Sequence, residues 1–218
     1  GLPFSLLIGT LTTWLGEAHV SLATIGVFSW AGLAYGFQFL WSPVVDQLRP
    51  PLLARLGRRR SWILPCQAVL ALCFLALAAT DPAVSLGTVA GIAVFGAFVS
   101  ATQNIAIDAW RVDVADERAT VEILSSIYQF GFRVAALAGG AGALILAERM
   151  SWQSVYAVMG GLMALTMIAT LLAPDTPAPE GQDDAPLAPF AVPDRRTRAI
   201  GLAIVGLGWI WAIATLAA

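Results

Sequence analysis

Charged side chains are scarce in this sequence, and one of the two common cationic residues is missing. Asp, Glu, Lys and Arg together make up 12% of the 218 residues, about half of the fraction that is usual in a soluble domain. There is no lysine, so all twelve basic residues are arginines. Because the arginines are not clustered on one helix face with interleaved aromatic residues, the sequence does not support nucleic-acid binding.

Residues that bind metals or act as nucleophiles are also few. The two cysteines, Cys66 and Cys73, share one apolar segment, and their spacing matches neither a metal site nor a disulfide framework. The only histidine, His19, lies near Glu17 in a short polar stretch. Without a Ser–His–Asp set, a phosphate-binding glycine loop or a metal-ligand cluster, we expect no enzyme, no cofactor and no metal.

Long apolar runs occupy most of the sequence instead. Hydrophobic residues account for 58% of the chain, and the mean hydropathy is +0.77. Runs of roughly 18 residues or more recur, which is the length a helix needs to cross a hydrocarbon core of about 30 Å. The sequence therefore predicts an all-α, multi-pass membrane protein. Its apolar segments are 1–15, 22–45, 62–80, 84–110, 121–147, 152–173 and 199–218.

The stretch 174–198 separates the sixth apolar segment from the seventh. It begins with a run rich in proline and acidic residues that cannot bury a core, so we expect an extended linker. A six-helix bundle over 1–173, this linker, and the start of a seventh helix over 199–218 is the layout of a transporter built from two six-helix halves. There is no initiator Met and both ends fall inside apolar runs, so we expect a truncated first helix and a missing C-terminal half.

The arginines are distributed unequally between the two sides of the membrane. Ten of the twelve lie in or beside the loops that follow the second, fourth and sixth segments. Only Arg149 lies in a loop on the other side, and Arg133 lies inside the fifth segment. Because cytoplasmic loops carry the excess of basic residues, we expect the arginine-rich loops and the linker to be cytoplasmic.

The fourth and fifth segments each carry polar residues along one helical face. On the fourth segment they are Ser100, Asn104, Asp108 and Arg111, with Gln103 beside them. On the fifth segment they are Glu122, Ser126, Gln129 and Arg133. Polar groups that face lipid cost several kcal/mol, so we expect both stripes to face other helices or a water-filled path. Hydrogen bonding that only holds the bundle together is the alternative.

Arg133 has the most unusual predicted environment of these residues. It lies about 16 Å deeper than Glu122 along a helix, near the middle of the bilayer. An arginine there costs at least about 2.5–3.5 kcal/mol unless it is hydrated or paired. Its planar fork of donors suits carboxylate or phosphate oxygens, so one hypothesis is an anion-binding group in a central cavity. The other is a structural ion pair, with Asp108 as the partner.

Asp46 and Arg111 both fall at the predicted cytoplasmic edge of the bundle. An ion pair between them would latch the second segment to the fourth, and its breakage would be a gating step. The alternative is a pair of solvated interfacial charges that contribute well under about 1 kcal/mol.

Five stretches resemble the muropeptide permeases of the AmpG type, in the major facilitator superfamily: GLPFSLLIGTLTTWLGE, LATIGVFSWAGLAYGFQFLWSPVVD, GRRRSW, SATQNIAIDAWRVDV and GFRVAALAGGAGALILAE. The resemblance covers about residues 1–174. It implies a twelve-helix fold, a bacterial inner-membrane location and proton-driven import of anhydro-muropeptides, although related members carry acetyl-CoA. By matched position it also marks charged residues of the cytoplasmic loop and of helices four and five: Asp46, Arg58, Arg59, Arg60, Asp108, Arg111 and Arg133.

Two polar positions depart from the family pattern. Gln38 stands where relatives commonly have Lys, and Asn104 stands where they commonly have Asp. We hypothesise that a charged pair has become a neutral Gln38–Asn104 pair, which keeps the hydrogen bonding without the desolvation cost of two charges.

Together these observations predict a secondary transporter of an anionic amphipathic solute. The expected solute-binding residues are Arg133, Gln129, Gln103, Asn104, Thr13 and Trp14. The expected proton-coupling residues are Asp108 and Glu122, and the expected gating residues are Asp46, Arg111, Arg58, Arg59 and Arg60. The expected partners are the solute, protons, the lipid bilayer and the missing C-terminal half. A transporter of an acetyl-CoA-like conjugate and a non-transporting membrane scaffold are the alternatives.

Overall fold

The computed structural model describes residues 1–28, 32–47 and 59–173, and every regular element in these ranges is helical. This confirms the all-α prediction. The helices of the described residues are α1 (2–17), α2 (Leu22–Phe28), α3 (Leu33–Gly36), α4 (Ser42–Gln47), α5 (Arg60–Ala78), α6 (Leu86–Asp113), α7 (Val121–Ala147) and α8 (Trp152–Leu172).

Helices α5 to α8 are each long and apolar enough to cross a membrane. Their ends lie within a few residues of the third to sixth predicted segments. The predicted linker and the seventh segment lie outside the described residues.

The second predicted segment is not one continuous helix. Between α3 and α4 the chain forms a 3-10 turn over Gln38–Leu40. Pro43 has no N–H to donate to the carbonyl four residues earlier. The Ser42 hydroxyl donates to that carbonyl, of Phe39, at 3.3 Å. The continuous helix that the sequence predicts is therefore interrupted just before this proline, which lies in the first turn of α4.

Helices α1 and α7 each contain a π-helical stretch, Ser5–Thr10 and Ala138–Gly142, and these paired π segments pack against each other. The Thr10 hydroxyl donates a buried hydrogen bond of 2.6 Å to the Gly139 carbonyl. A Cβ atom at Gly139 would lie 3.0 Å from the Leu2 carbonyl oxygen, so only glycine allows this approach without a shift. Short π stretches inside α-helices often occur at functional sites.

A buried aromatic cluster, formed by Trp14, Trp152, Tyr156 and Phe74, joins α1 to α5 and α8. The rings of Trp14 and Trp152 stack at 6.2 Å, and Tyr156 lies 5.2 Å from Trp14. The Trp152 indole N–H donates to the Glu17 carboxylate at 2.7 Å. These contacts fix one end of α1 against α8.

Helix α7 is the least covered of the long helices. In the apolar stretch of α7 that could cross a membrane, 11% is buried, compared with 56% in α5 and 61% in α6. Its neighbours in the described part of the chain are mainly α1, α6 and the start of α8. Both a polar and an apolar flank of α7 therefore remain exposed.

Candidate functional site

The polar stripe of α6 faces two neighbouring helices. From α3, the Tyr35 hydroxyl donates to Ser100 Oγ at 2.6 Å. From α7, the Tyr128 hydroxyl donates to Asn104 Oδ1 at 2.5 Å. Two tyrosines thus bind successive turns of the same face of α6.

Arg111 extends this arrangement toward the end of α6. Its guanidinium carbon lies 4.7 Å from the centroid of the Tyr128 ring, which is a cation–π contact. Its Nη2 atom lies 3.2 Å from Asp108 Oδ1. The Arg111 Nε atom is buried and has no hydrogen-bond partner among the described residues. Tyr128 therefore connects Asn104, Asp108 and Arg111 into one group, the Tyr128 cluster.

This arrangement differs from the ion pairs that the sequence suggests. Asp108 pairs with Arg111 on its own helix and not with Arg133. Arg133 is exposed, and the described part of the chain gives it no ion pair. The side chain of Asp46 lies outside the described residues, so the predicted Asp46–Arg111 latch stays a prediction.

The polar stripe of α7 lies beside the Tyr128 cluster. Tyr128 and Phe132 contact α6 and α1. Gln129 and Arg133 each follow one residue later, about 100° around the helix, and both are exposed. Glu122 is also exposed and lies in the first turn of α7.

The predicted Gln38–Asn104 hydrogen bond is absent from the described contacts. The Asn104 oxygen accepts from Tyr128, and the buried Gln38 Oε1 has no partner among these residues. Gln103 is 9% exposed, and its Oε1 atom also lacks a partner in the described ranges. A buried acceptor without a partner costs about 1–3 kcal/mol, so both amide oxygens are candidates to accept a hydrogen bond from a further group.

The two predicted solute-binding residues of α1 have different environments. Thr13 is exposed. Trp14 is 4% exposed and belongs to the buried aromatic cluster. This placement favours a packing role for Trp14, because almost none of its surface is left to contact a solute.

Two arginines of the predicted gate join the ends of three helices. At the start of α5, Arg59 Nε lies 2.6 Å from Asp113 Oδ2 at the end of α6. The next residue, Arg60, donates to the Ala173 carbonyl just after α8. Arg58 lies outside the described residues. Asp113 is absent from the sequence prediction, although its position at the end of the fourth segment, on the same side as the arginine-rich loop, was an available signal.

Four aromatic rings line the exposed side of this region and form a continuous aromatic strip: Tyr35, Phe4, Phe132 and Tyr128. Ring centroids lie 5.0 Å apart for Phe4 and Tyr35, and 6.3 Å apart for Phe4 and Phe132. Tyr128 and Phe132 are also 6.3 Å apart. The spacing of Tyr128 and Phe132 on one helix face is the only sequence signal for the strip.

The described residues contain no group of three or more His, Cys, Asp or Glu side chains that could hold a metal ion. The two free cysteines of these ranges, Cys66 and Cys73, are buried.

Comparison with known proteins gives consistent matches. The sequence model of the Major Facilitator Superfamily matches residues 1–218. The chain is 41% identical over 197 residues to the anhydromuropeptide permease of Escherichia coli (strain K12), covering 87% of this chain and 39% of that protein. It is 36% identical over 170 residues to the putative transporter AmpG 4 of Rickettsia conorii, covering 77% of this chain and 41% of that protein. The chain thus spans less than half the length of these relatives.

Proposed function

Because this chain belongs to the Major Facilitator Superfamily, we propose that the complete protein imports an anhydromuropeptide, or a similar anionic amphipathic solute, across a bacterial inner membrane together with protons. The similarity to an anhydromuropeptide permease supports this cargo. The main support is the position of Arg133. This exposed cation lies inside a helix long and apolar enough to cross a membrane, and it forms no ion pair with the residues that the structure describes. A permanent charge at that depth requires an anion or water.

Arg133 binds the acidic group of the solute in this proposal. Its guanidinium remains protonated at any physiological pH and offers paired donors to a carboxylate. Gln129, one turn away on the same exposed face, adds amide hydrogen bonds. Asn104 and Gln103 contribute from α6, and Thr13 contributes from α1. Each of these groups has hydrogen-bonding capacity that the described contacts leave unused.

Asp108 or Glu122 exchanges the coupled proton. Asp108 is the better placed of the two, because its carboxylate is half-buried and contacts Arg111. Protonation of Asp108 would free the Arg111 donors while the Tyr128 ring keeps the guanidinium in place. Uptake of a proton by Asp108 and contact of an anionic group of the solute with the freed Arg111 donors would then favour each other.

The cytoplasmic ends of α5, α6 and α8 form the gate. The Arg59–Asp113 pair and the hydrogen bond from Arg60 to the carbonyl of Ala173 hold these ends together. In an alternating-access cycle they would stay intact in one state and loosen in the other. The gate also includes three residues that the family resemblance marks: Asp46, Arg58 and Arg111.

Uptake of labelled anhydromuropeptide by cells that express the full-length protein tests this proposal. We expect a protonophore to abolish uptake. We expect Arg133→Ala to abolish it as well, and Arg133→Lys to retain only part of it, because a lysine lacks the planar fork. Arg149→Ala is the matched control, since Arg149 is an exposed arginine of the loop before α8.

Three results would overturn parts of the proposal. An absence of uptake by a well-inserted wild-type protein would reject the cargo, and screening would move to acetyl-CoA-like conjugates. Uptake that ignores the protonophore would reject proton coupling. Equal activity of Arg133→Ala and Arg149→Ala would reject Arg133 as the anion site.

A further inference from the structure

The aromatic strip differs from the aromatic residues of the core. Trp14, Trp152 and Tyr156 are buried and pack on one another. In the strip, Phe4 is 37% exposed, and the other three rings are half-buried. Neighbouring rings that are partly exposed are available to a ligand, whereas the buried rings of the core are not.

The surroundings of the strip are those of a polar site and not of a lipid-facing surface. The hydroxyls of Tyr35 and Tyr128 donate to Ser100 and Asn104 of the α6 stripe. At one end of the strip, the Arg111 guanidinium lies over the Tyr128 ring. Such a density of hydroxyls, amides and charge is costly against hydrocarbon. The strip is therefore expected to face water, solute or other protein groups and not the hydrocarbon of the bilayer.

The chemistry of the strip combines flat apolar faces with hydrogen-bonding groups along one edge. Because the Tyr128 hydroxyl holds the Asn104 oxygen, the Asn104 amide N–H groups are left to donate elsewhere. A pyranose ring has the complementary surface, with C–H groups on its faces and hydroxyls around its rim. A purely aliphatic ligand would leave the Asn104 amide N–H groups without an acceptor.

We propose that the aromatic strip is the subsite for the sugar ring of the transported solute, with Phe4 and Phe132 as the stacking surfaces and Asn104 as a donor to a ring hydroxyl. This inference rests on the proposed function and assigns a different part of the same solute from the part bound by Arg133. Phe4, Phe132 and Asn104 come from three helices, so the subsite exists only when α1, α6 and α7 are packed together.

The test uses the full-length protein and measures KM and maximal rate for labelled anhydromuropeptide. We expect Phe4→Leu and Phe132→Leu to raise KM about three- to tenfold with little change in maximal rate, since a lost ring contact reduces affinity on this scale. Phe132→Tyr, which keeps an aromatic ring at this position, should leave KM at the wild-type value. Phe130→Leu is the matched control: it is the same substitution on the same helix, at a side chain 72% exposed on the apolar flank.

Two unlabelled competitors separate recognition of the sugar from a structural effect. In Phe4→Leu and Phe132→Leu, the anhydro-sugar alone should compete several-fold less well, while the peptide alone should compete as it does in wild type. Equal weakening of both competitors would overturn the subsite, because a distorted bundle would affect both parts of the solute.

Two uptake results separate the sugar subsite from the transport activity itself. Wild-type uptake with a KM that is unchanged in both leucine variants would reject the subsite and leave the function standing. Absence of wild-type uptake would reject both. If Phe132→Leu does not reach the membrane, the KM values of Phe4→Leu and Phe4→Tyr provide the test. Phe4 is suitable because it is partly exposed and less constrained by packing.

Discussion

Tyr128 uses the two ends of its side chain for different contacts. Its hydroxyl donates to Asn104, and its ring lies under Arg111. We predict that Tyr128→Phe lowers the free energy of unfolding by about 1 kcal/mol, the net value of a typical hydrogen bond. Tyr128→Leu should cost about 0.5–2 kcal/mol more, because the cation–π contact is lost as well.

Thermal unfolding of the purified full-length variants in detergent measures this difference, with Phe130→Leu as the control on the same helix. Equal destabilisation by Tyr128→Phe and Tyr128→Leu would mean that the ring contributes nothing through Arg111.

The pair formed by Arg59 and Asp113 is a second local contact with a measurable energy. Arg59 is almost fully buried and its Nε–Oδ2 distance is short, at 2.6 Å. We predict that Asp113→Asn costs about 1.5–3 kcal/mol, as is usual for hydrogen bonds to charged groups. A double-mutant cycle with Arg59→Gln should give a coupling energy of similar size.

Glu117→Gln provides the control for that cycle, because Glu117 is an exposed carboxylate in the next loop. A coupling energy near zero would show that Arg59 is stabilised by its other contacts and that Asp113 is dispensable.

At the scale of helices, the close approach of α5 and α8 depends on one glycine. A Cβ atom at Gly160 would lie 3.2 Å from Leu75 Cγ and 3.3 Å from the Ala71 carbonyl oxygen. The backbone oxygen has little freedom to move, so Gly160→Ala should destabilise the protein by about 1–3 kcal/mol. The next residue, Gly161, has no atom within 4 Å of the corresponding position.

Gly161→Ala is therefore the matched control. It should be neutral or should stabilise the helix by up to about 1 kcal/mol, because alanine is the better helix former. Melting temperatures of the two alanine variants in the same detergent test the prediction, and identical values would contradict it.

The sequence predicts some helices more accurately than others, for physical reasons. Bilayer thickness fixes the length of an apolar run, so the bounds of α5 to α8 follow closely from hydropathy. The break around Pro43 was also readable, since a proline inside an apolar run cannot donate to the preceding turn. The paired π segments were not readable, because they depend on contacts such as that between Thr10 and Gly139, distant in sequence.

At the candidate site, too, the sequence predicts features of a single helix better than contacts between helices. Helical periodicity correctly places Asn104, Asp108 and Arg111 on one face of α6, because that property belongs to a single helix. Their partners depend on how helices pack. Asp108 therefore pairs with Arg111 one turn away and not with Arg133 on another helix. The polar pattern also does not predict that Tyr128 belongs to the site.

For the molecule as a whole, the distribution of arginine predicts which loops face the cytoplasm. We predict that a cysteine at Val84, in the loop between α5 and α6, reacts with a membrane-impermeant thiol reagent added to intact cells. Val84 is 86% exposed, so access is not limited by packing. A cysteine at Arg118, in the loop between α6 and α7, should react only in inverted vesicles. The native Cys66 and Cys73 should stay unlabelled because both are buried.

The reverse labelling pattern at Val84→Cys and Arg118→Cys would invert the orientation and place the Arg59–Asp113 pair on the outer side of the membrane. Labelling of both positions from the same side would contradict the crossing of the membrane by α6.

The partners of α1 also determine when the bundle can be completed during synthesis. Thr10 bonds to Gly139, which is 129 residues later in the chain, and Leu6 accepts from Tyr156, which is 150 residues later. At about 5–20 residues per second, a ribosome needs roughly 6–26 s to cover the first of these intervals. Helix α1 can therefore form these two contacts only after α7 and α8 have been synthesised. Until then the Thr10 hydroxyl has no Gly139 carbonyl to donate to, and the nearest alternative acceptors are the carbonyls of its own helix.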